Sequence, residues 1–149
     1  MRFEDDAALE AHVAALLDAT LPKARWTHDG HVAATAGLML LRPALDVEAA
    51  LPGLIRRLND SHGVPNSDTR GYHETITRFF LAAIRAELAR DDATRAPHAR
   101  VNALLDAGPV AGGKRALAPY WSDAVLFSAA ARRGWVAPDL APIAYVIGG

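Results

Sequence analysis

Apolar side chains return every three or four positions through most of this chain, and proline or glycine closes each run. Residues at that spacing share one face only on a helix, so the pattern constrains the fold more than any other feature. Leu9, Val13, Leu16 and Leu17 mark a first helix from Asp5 or Asp6 to Asp18, ended by Leu21-Pro22. Thr27 is a good N-cap for a second, which runs to about Leu41 before Arg42-Pro43. Its inward stripe is expected to be His28, His31 or Val32, Thr35, and Leu38 or Met39. Asp46 caps a third segment with Leu51, Leu54, Ile55 and Leu58 on one face, a short turn ahead of Pro52, and Gly63 as its stop.

After a loop from Gly63 to Gly71, the clearest stripe follows: Ile76, Phe79, Phe80, Ala83, Ile84 and Leu88 predict a long helix from Tyr72 to about Arg90. Another is expected from about Pro97 to Asp106, ended by Gly108-Pro109. Beyond it, Pro119, Pro138, Pro142 and several glycines leave room only for short turns, which Ser122 and Ser128 are placed to cap. Trp121, Leu126, Phe127, Trp135 and Val136 indicate that this segment packs on the body. Alanine is abundant and β-branched residues are few, which favours helix over sheet. The expected architecture is an all-α single domain over residues 1–149, a compact bundle of four or five helices with an irregular C-terminal segment packed on it.

Charge and composition remove several function classes. The formal net charge is −1 with acids and bases interspersed, so the basic stripe that nucleic-acid binding needs is missing. The longest apolar run, Val32 to Leu41, is about half of the ~20 residues needed to cross a bilayer and is broken by Thr35 and Gly37. With no cysteine, thiolate nucleophiles, disulfides and cysteine metal ligands are excluded. The acidic start, Met-Arg-Phe-Glu-Asp-Asp, does not read as a signal peptide, so the expected location is the cytoplasm.

Chemistry points to the six histidines, three of them suggestively placed. His28 and His31, three apart in W-T-H-D-G-H, share one side of the second helix. His73, in G-Y-H-E-T, stands three before Ile76 and seven before Phe80 and so reads as part of an inward stripe. Should the two helix starts meet, three imidazoles converge. Three neutral imidazoles suit an open site for zinc or iron, and a helix N-terminus disfavours the imidazolium. In that reading His28, His31 and His73 are metal ligands or proton carriers, and Glu74 is a ligand or general base. Tyr72 and Asn66 then orient a substrate. A metal-free pocket that takes an anion or small molecule is an equal reading, and purely structural imidazoles are a third. His12, His62 and His98 are expected at the surface.

Other motifs weigh less. Gly108 to Arg115, G-P-V-A-G-G-K-R, formally begins like a phosphate-binding loop. It lacks a preceding strand, and Arg115 stands where a Ser or Thr would hold magnesium, so it is expected to be a flexible loop. Lys114 and Arg115 remain candidates for an anion pocket. Asn66 to Thr69 read first as turn formers. No serine sits in a G-x-S-x-G elbow.

The runs W-T-H-D-G-H (Trp26 to His31), R-R-L-N (Arg56 to Asn59) and P-N-S-D-T-R-G-Y-H-E-T-I-T-R (Pro65 to Arg78) resemble a group of short uncharacterised bacterial proteins. The element from Leu126-Phe127-Ser128 through Arg132-Arg133-Gly134-Trp135-Val136 to Pro138-Asp139-Leu140 belongs to the same resemblance. It implies a single bacterial domain and carries no activity. A weaker similarity, at the level of fold alone, is to DinB-like metal-binding bundles, whose histidines are spaced differently. The expectation is therefore a helical protein whose His-lined pocket acts on a small molecule, with a divalent metal as the candidate cofactor. The alternative is a non-catalytic interaction module or homodimer.

Overall fold

Five of the seven helices start where a short polar side chain replaces the missing backbone partner. The computed structural model describes residues 1–106 and 110–148, which form seven α-helices, two short 3-10 turns and no strand. The helices are α1 (Asp6–Leu17), α2 (His28–Leu41), α3 (Val47–Ser61), α4 (Glu74–Arg90), α5 (Pro97–Asp106), α6 (Asp123–Leu126) and α7 (Ala129–Arg133). The 3-10 turns are Lys23–Arg25 and Gly113–Leu117. Asp5, Thr27, Asp46, Ser122 and Ser128 accept the amide N–H three residues on, at 2.8 to 3.3 Å. Such a cap is worth about 1 kcal/mol. The all-α class read from the sequence is the observed one.

Two boundaries differ from expectation. Val47 to Ser61 is one continuous helix with Pro52 inside it, not a turn followed by a helix. The proline ring removes one backbone hydrogen bond, but burial of Val47, Leu51, Ile55 and Leu58 on one face holds the helix together. α4 begins at Glu74, because His73 is extended (φ −133°, ψ 110°) and caps the helix instead of belonging to it. The expected stop of α5 at Gly108-Pro109 lies outside the described residues.

α2 is enclosed rather than amphipathic. Every residue from Val32 to Leu38 is buried, and the helix packs among α1, α3, α4 and α5. Small side chains make that approach feasible. A Cβ on Gly37 would lie 2.5 Å from Val13 Cγ2 and 3.2 Å from Leu9 Cδ1, so α1 sits where any larger residue would push it away.

His12, expected at the surface, is only 3% exposed on α1. Its Nε2–H donates to the Gly30 carbonyl at 3.0 Å, and Phe3 meets its ring edge-on at 5.3 Å. A place on the inward face of α1 buries the ring, and the hydrogen bond to Gly30 offsets part of the desolvation cost.

The C-terminal segment packs against the start of α4, as expected. Trp121 is 1% exposed between Phe79 and Trp135, with ring centroids 5.7 and 5.6 Å away, and its Nε1–H donates to the Val136 carbonyl at 2.9 Å. Thr75 Oγ1 donates to the Gly134 carbonyl at 2.8 Å and accepts from the Val136 amide at 3.1 Å. Phe127 is a correction: it is 46% exposed. α6 is a single turn in which Leu126 takes the inward position, and the next residue is rotated about 100° away.

Two glycines should respond oppositely to substitution. Gly37→Val is expected to destabilise by about 1–3 kcal/mol through overpacking against α1. Gly53→Ala in α3 has open space around its Cβ and should stabilise by about 0.5–1 kcal/mol. Urea unfolding followed by circular dichroism checks both, and equal effects would contradict the packing described.

Candidate functional site

α2, α3 and α4 enclose a cavity of about 450 Å³ that the C-terminal segment closes from one side. α3 and α4 run antiparallel along it: Arg85 near the end of α4 pairs with Glu48 near the start of α3. At the other end, Arg56 lies over the Tyr72 ring at 4.3 Å. The helix registers therefore divide the lining into two halves. Leu51, Ile55, Leu81 and Ile84 make one half apolar. At the other end Trp26, His31, Asn59, Tyr72, His73 and Arg132 bring polar groups in among Val32, Val64 and Ile76.

All three histidines singled out from the sequence line this cavity, but they are bonded very differently. His73 Nδ1 accepts from the Ile76 amide at 3.2 Å as the cap of α4, and its Nε2–H donates to the Leu126 carbonyl at 2.7 Å. Both ring nitrogens are thus committed to backbone, and burial holds the ring in its neutral form. His28 Nε2–H donates to the Val110 carbonyl at 2.6 Å, and its ring meets Phe80 edge-on at 4.9 Å. His31 stacks on Trp26 with centroids 3.5 Å apart and 21° between planes. Among the described residues its ring has no hydrogen-bond partner. Burial, reinforced by neighbouring His28, pushes its pKa down to about 3, so it is neutral at physiological pH.

These donors do not fit a three-histidine metal centre. His73 has no free lone pair to offer, because Nδ1 is used at the cap and Nε2 carries the donated proton. Among the described residues, no group of three or more His, Cys, Asp or Glu is placed to hold an ion.

The three residues expected to orient or activate a substrate serve other contacts. Tyr72 lines the cavity, but its hydroxyl donates to Glu74 Oε1 at 2.6 Å; burial and then the Glu74 carboxylate push the phenol pKa up. Glu74 is not among the residues that line the cavity, and it also approaches Arg78 at 3.9 Å. Asn66 ties the loop: its Oδ1 accepts from the Tyr72 amide and from Asn59 Nδ2, each at 3.0 Å. Its Nδ2 donates to the Arg56 carbonyl at 3.3 Å and to Asp60 at 3.2 Å. Gly71 completes the turn with φ +78°; a Cβ there would lie 2.4 Å from the Pro65 carbonyl oxygen.

Several lining residues were not legible as such. His62, expected at the surface, lines the cavity and donates from Nε2 to the Leu21 carbonyl at 2.8 Å. It sits one turn beyond Leu58, so the stripe of α3 brings it inward. Asn59, one turn beyond Ile55 on that stripe and 7% exposed, accepts from Trp26 Nε1–H at 3.2 Å. A polar residue at an apolar register was the available signal. His98 stays near the surface with its Nδ1 2.6 Å from Asp6.

The charge of the lining is one-sided. Among the described residues Lys23, Lys114 and Arg132 line the cavity and no Asp or Glu does. Arg132 is held by Nη1–H bonds to the Gly71 and Tyr72 carbonyls at 3.0 and 3.4 Å, while its Nε is buried without a partner. Lys114 is at the cavity as expected, whereas Arg115 is not. The segment that carries them is not the open loop expected from its glycines: Val110 is fully buried and Gly113–Leu117 is a 3-10 turn. Gly108 and Pro109 lie outside the described residues.

The buried histidines make stability depend on pH. A neutral folded His31 and an unfolded one near its ordinary value of 6.5 differ only below that pH, where the unfolded chain takes up the proton first. Stability should be flat above about pH 6.5 and fall toward pH 3, by up to about 1.4 kcal/mol per pH unit per histidine. His12 and His73, both lowered by burial, act in the same direction. Urea midpoints at several pH values should show a shallower acid limb in His31→Gln; an unchanged limb would mean the ring is not held neutral. Separately, Asn66→Ala should cost about 1–3 kcal/mol by leaving the Tyr72 amide and Asn59 unpaired.

No protein-family model, curated protein or solved structure matches the chain, so what the cavity binds has to be argued from its own residues.

Proposed function

We propose that this protein binds a small organic anion with an apolar body in the cavity between α2, α3 and α4. The observation that carries the reading is the lining itself: Lys23, Lys114 and Arg132 with no carboxylate among the described residues, together with Leu51, Ile55, Leu81 and Ile84. A volume of about 450 Å³ lies within the usual range for small-molecule sites. The division into polar and apolar halves suits a ligand with a charged head and a greasy tail. Among the described residues His31 is the lining histidine whose ring has no hydrogen-bond partner, and as a neutral imidazole it offers that head one donor or one acceptor. Its depressed pKa makes it a poor match for proton transfer near neutral pH, which favours binding over acid–base catalysis.

The other readings of the sequence have less support. A zinc or iron site would require His73 to give up its cap or its bond to Leu126. An interaction module or homodimer would draw on an apolar surface, and the large apolar side chains exposed among the described residues are Met1, Phe127, Leu140 and Val146.

Thermal unfolding in the presence of small organic carboxylates, each paired with its neutral amide, tests the proposal. Carboxylates are expected to raise Tm and amides to leave it nearly unchanged. Lys114→Ala, whose side chain is exposed at the cavity, should weaken carboxylate binding about 5–10-fold, the worth of one charge-assisted contact near a surface. Equal binding of amides would overturn the anion reading. Stoichiometric zinc or iron in untagged protein, lost in His28→Ala, would overturn the metal-free one.

A further inference from the structure

We infer that the ligand is an aromatic acid, a flat ring bearing its carboxylate directly; this rests on the anion-binding reading above. The reason is where the rings lie. Trp26, His28, His31, Tyr72 and Phe80 line the cavity, and the aliphatic lining is shared between Leu51, Ile55, Leu81 and Ile84 at one end and Val32, Val64 and Ile76 among the rings. Lys114 follows Gly113, where a Cβ would lie 3.8 Å from the His28 ring, and Arg132 bonds the Tyr72 carbonyl. A carboxylate placed at either cation therefore has a ring wall beside it. For a flexible alkyl acid, the methylenes next to the head would pass between aromatic walls that reward a π-face more than a methylene stem.

The rings are also pre-set for such a guest. Trp26 and His31 already form a stacked pair at 3.5 Å, which the Trp26 Nε1–H bond to Asn59 locks in place. His28 and Phe80 stand edge to face at 4.9 Å, with His28 fixed by its bond to the Val110 carbonyl. Little side-chain freedom remains to be lost when a flat ligand enters, which is the general condition for tight binding in a small cavity. Among the described residues His31 has no competing hydrogen-bond partner, so its ring nitrogen is available to a carboxylate oxygen or to an adjacent hydroxyl on the ligand. The guanidinium of Arg132 is held by two backbone carbonyls, which fixes its charge at the cavity wall.

Isothermal titration calorimetry on the full chain, with three probes of one carbon skeleton, decides the question: naphthoate, its fully saturated decalin analogue, and naphthylmethanol. The expected order is naphthoate first, about tenfold tighter than the decalin acid, one or two aromatic pairs' worth. The neutral alcohol should bind weakest. Phe80→Leu should remove most of the preference for naphthoate over the decalin acid, while Lys114→Ala should weaken both acids alike and keep the preference. Circular dichroism on each variant confirms that the fold is retained. If the two acids bind equally, the aromatic class is overturned and the anion reading survives. If the alcohol equals the acids, or none of the probes binds, the anion reading falls and this inference with it.

Discussion

The enclosure of α2 is the constraint on which the other helices depend. A helix buried on nearly all sides needs neighbours at short range, and Ala33, Ala34, Ala36 and Gly37 supply the room. Because Gly37 admits α1 so closely, Val13 and Leu9 pack directly on the α2 backbone, and His12 follows them inside. Toward its N-terminus the same helix carries His28 and His31, which line the cavity, His28 also meeting Phe80 of α4. The packed part of α2 thus positions the part available for chemistry.

The cationic side of the cavity depends on the C-terminal segment. Lys114 and Arg132 both come from it, far in sequence from Lys23. The segment is fastened mainly at the start of α4: His73 donates to Leu126, Thr75 bridges Gly134 and Val136, and Arg132 reaches Gly71 and Tyr72. On the surface Arg133 pairs with Asp68. Buried bonds of this kind hold a chain of short turns that has little helical stability of its own. They also explain why His73 is a structural residue despite its place beside the site.

Six histidines of one chemical type meet separate fates, and these show how far a sequence carries a site. The spacing of His28 and His31 put them on one side of a helix, and both do line the cavity with His73. The spacing said nothing about partners. His28 and His73 meet carbonyls from the C-terminal segment, and His31 meets only the face of Trp26. Whether an imidazole is free to bind anything depends on those distant atoms. Asn66 and Glu74 looked functional because polar residues cluster before α4, yet turn geometry and the Tyr72 hydroxyl occupy them.

What the sequence determined by itself is the set of helices and their caps. Helical period and N-cap chemistry act over three or four residues, so Asp5, Thr27, Asp46, Ser122 and Ser128 were legible before any packing was known. The N-terminal limit of α4 escaped because a histidine took the capping role from its ring nitrogen. Tertiary structure alone decided that α2 is enclosed, that His12 is buried, and that Lys23, Lys114 and Arg132 share one cavity with no carboxylate in its lining among the described residues. Those outcomes depend on which surfaces meet across long stretches of chain, and on where desolvation removes water, and neither is encoded in local spacing.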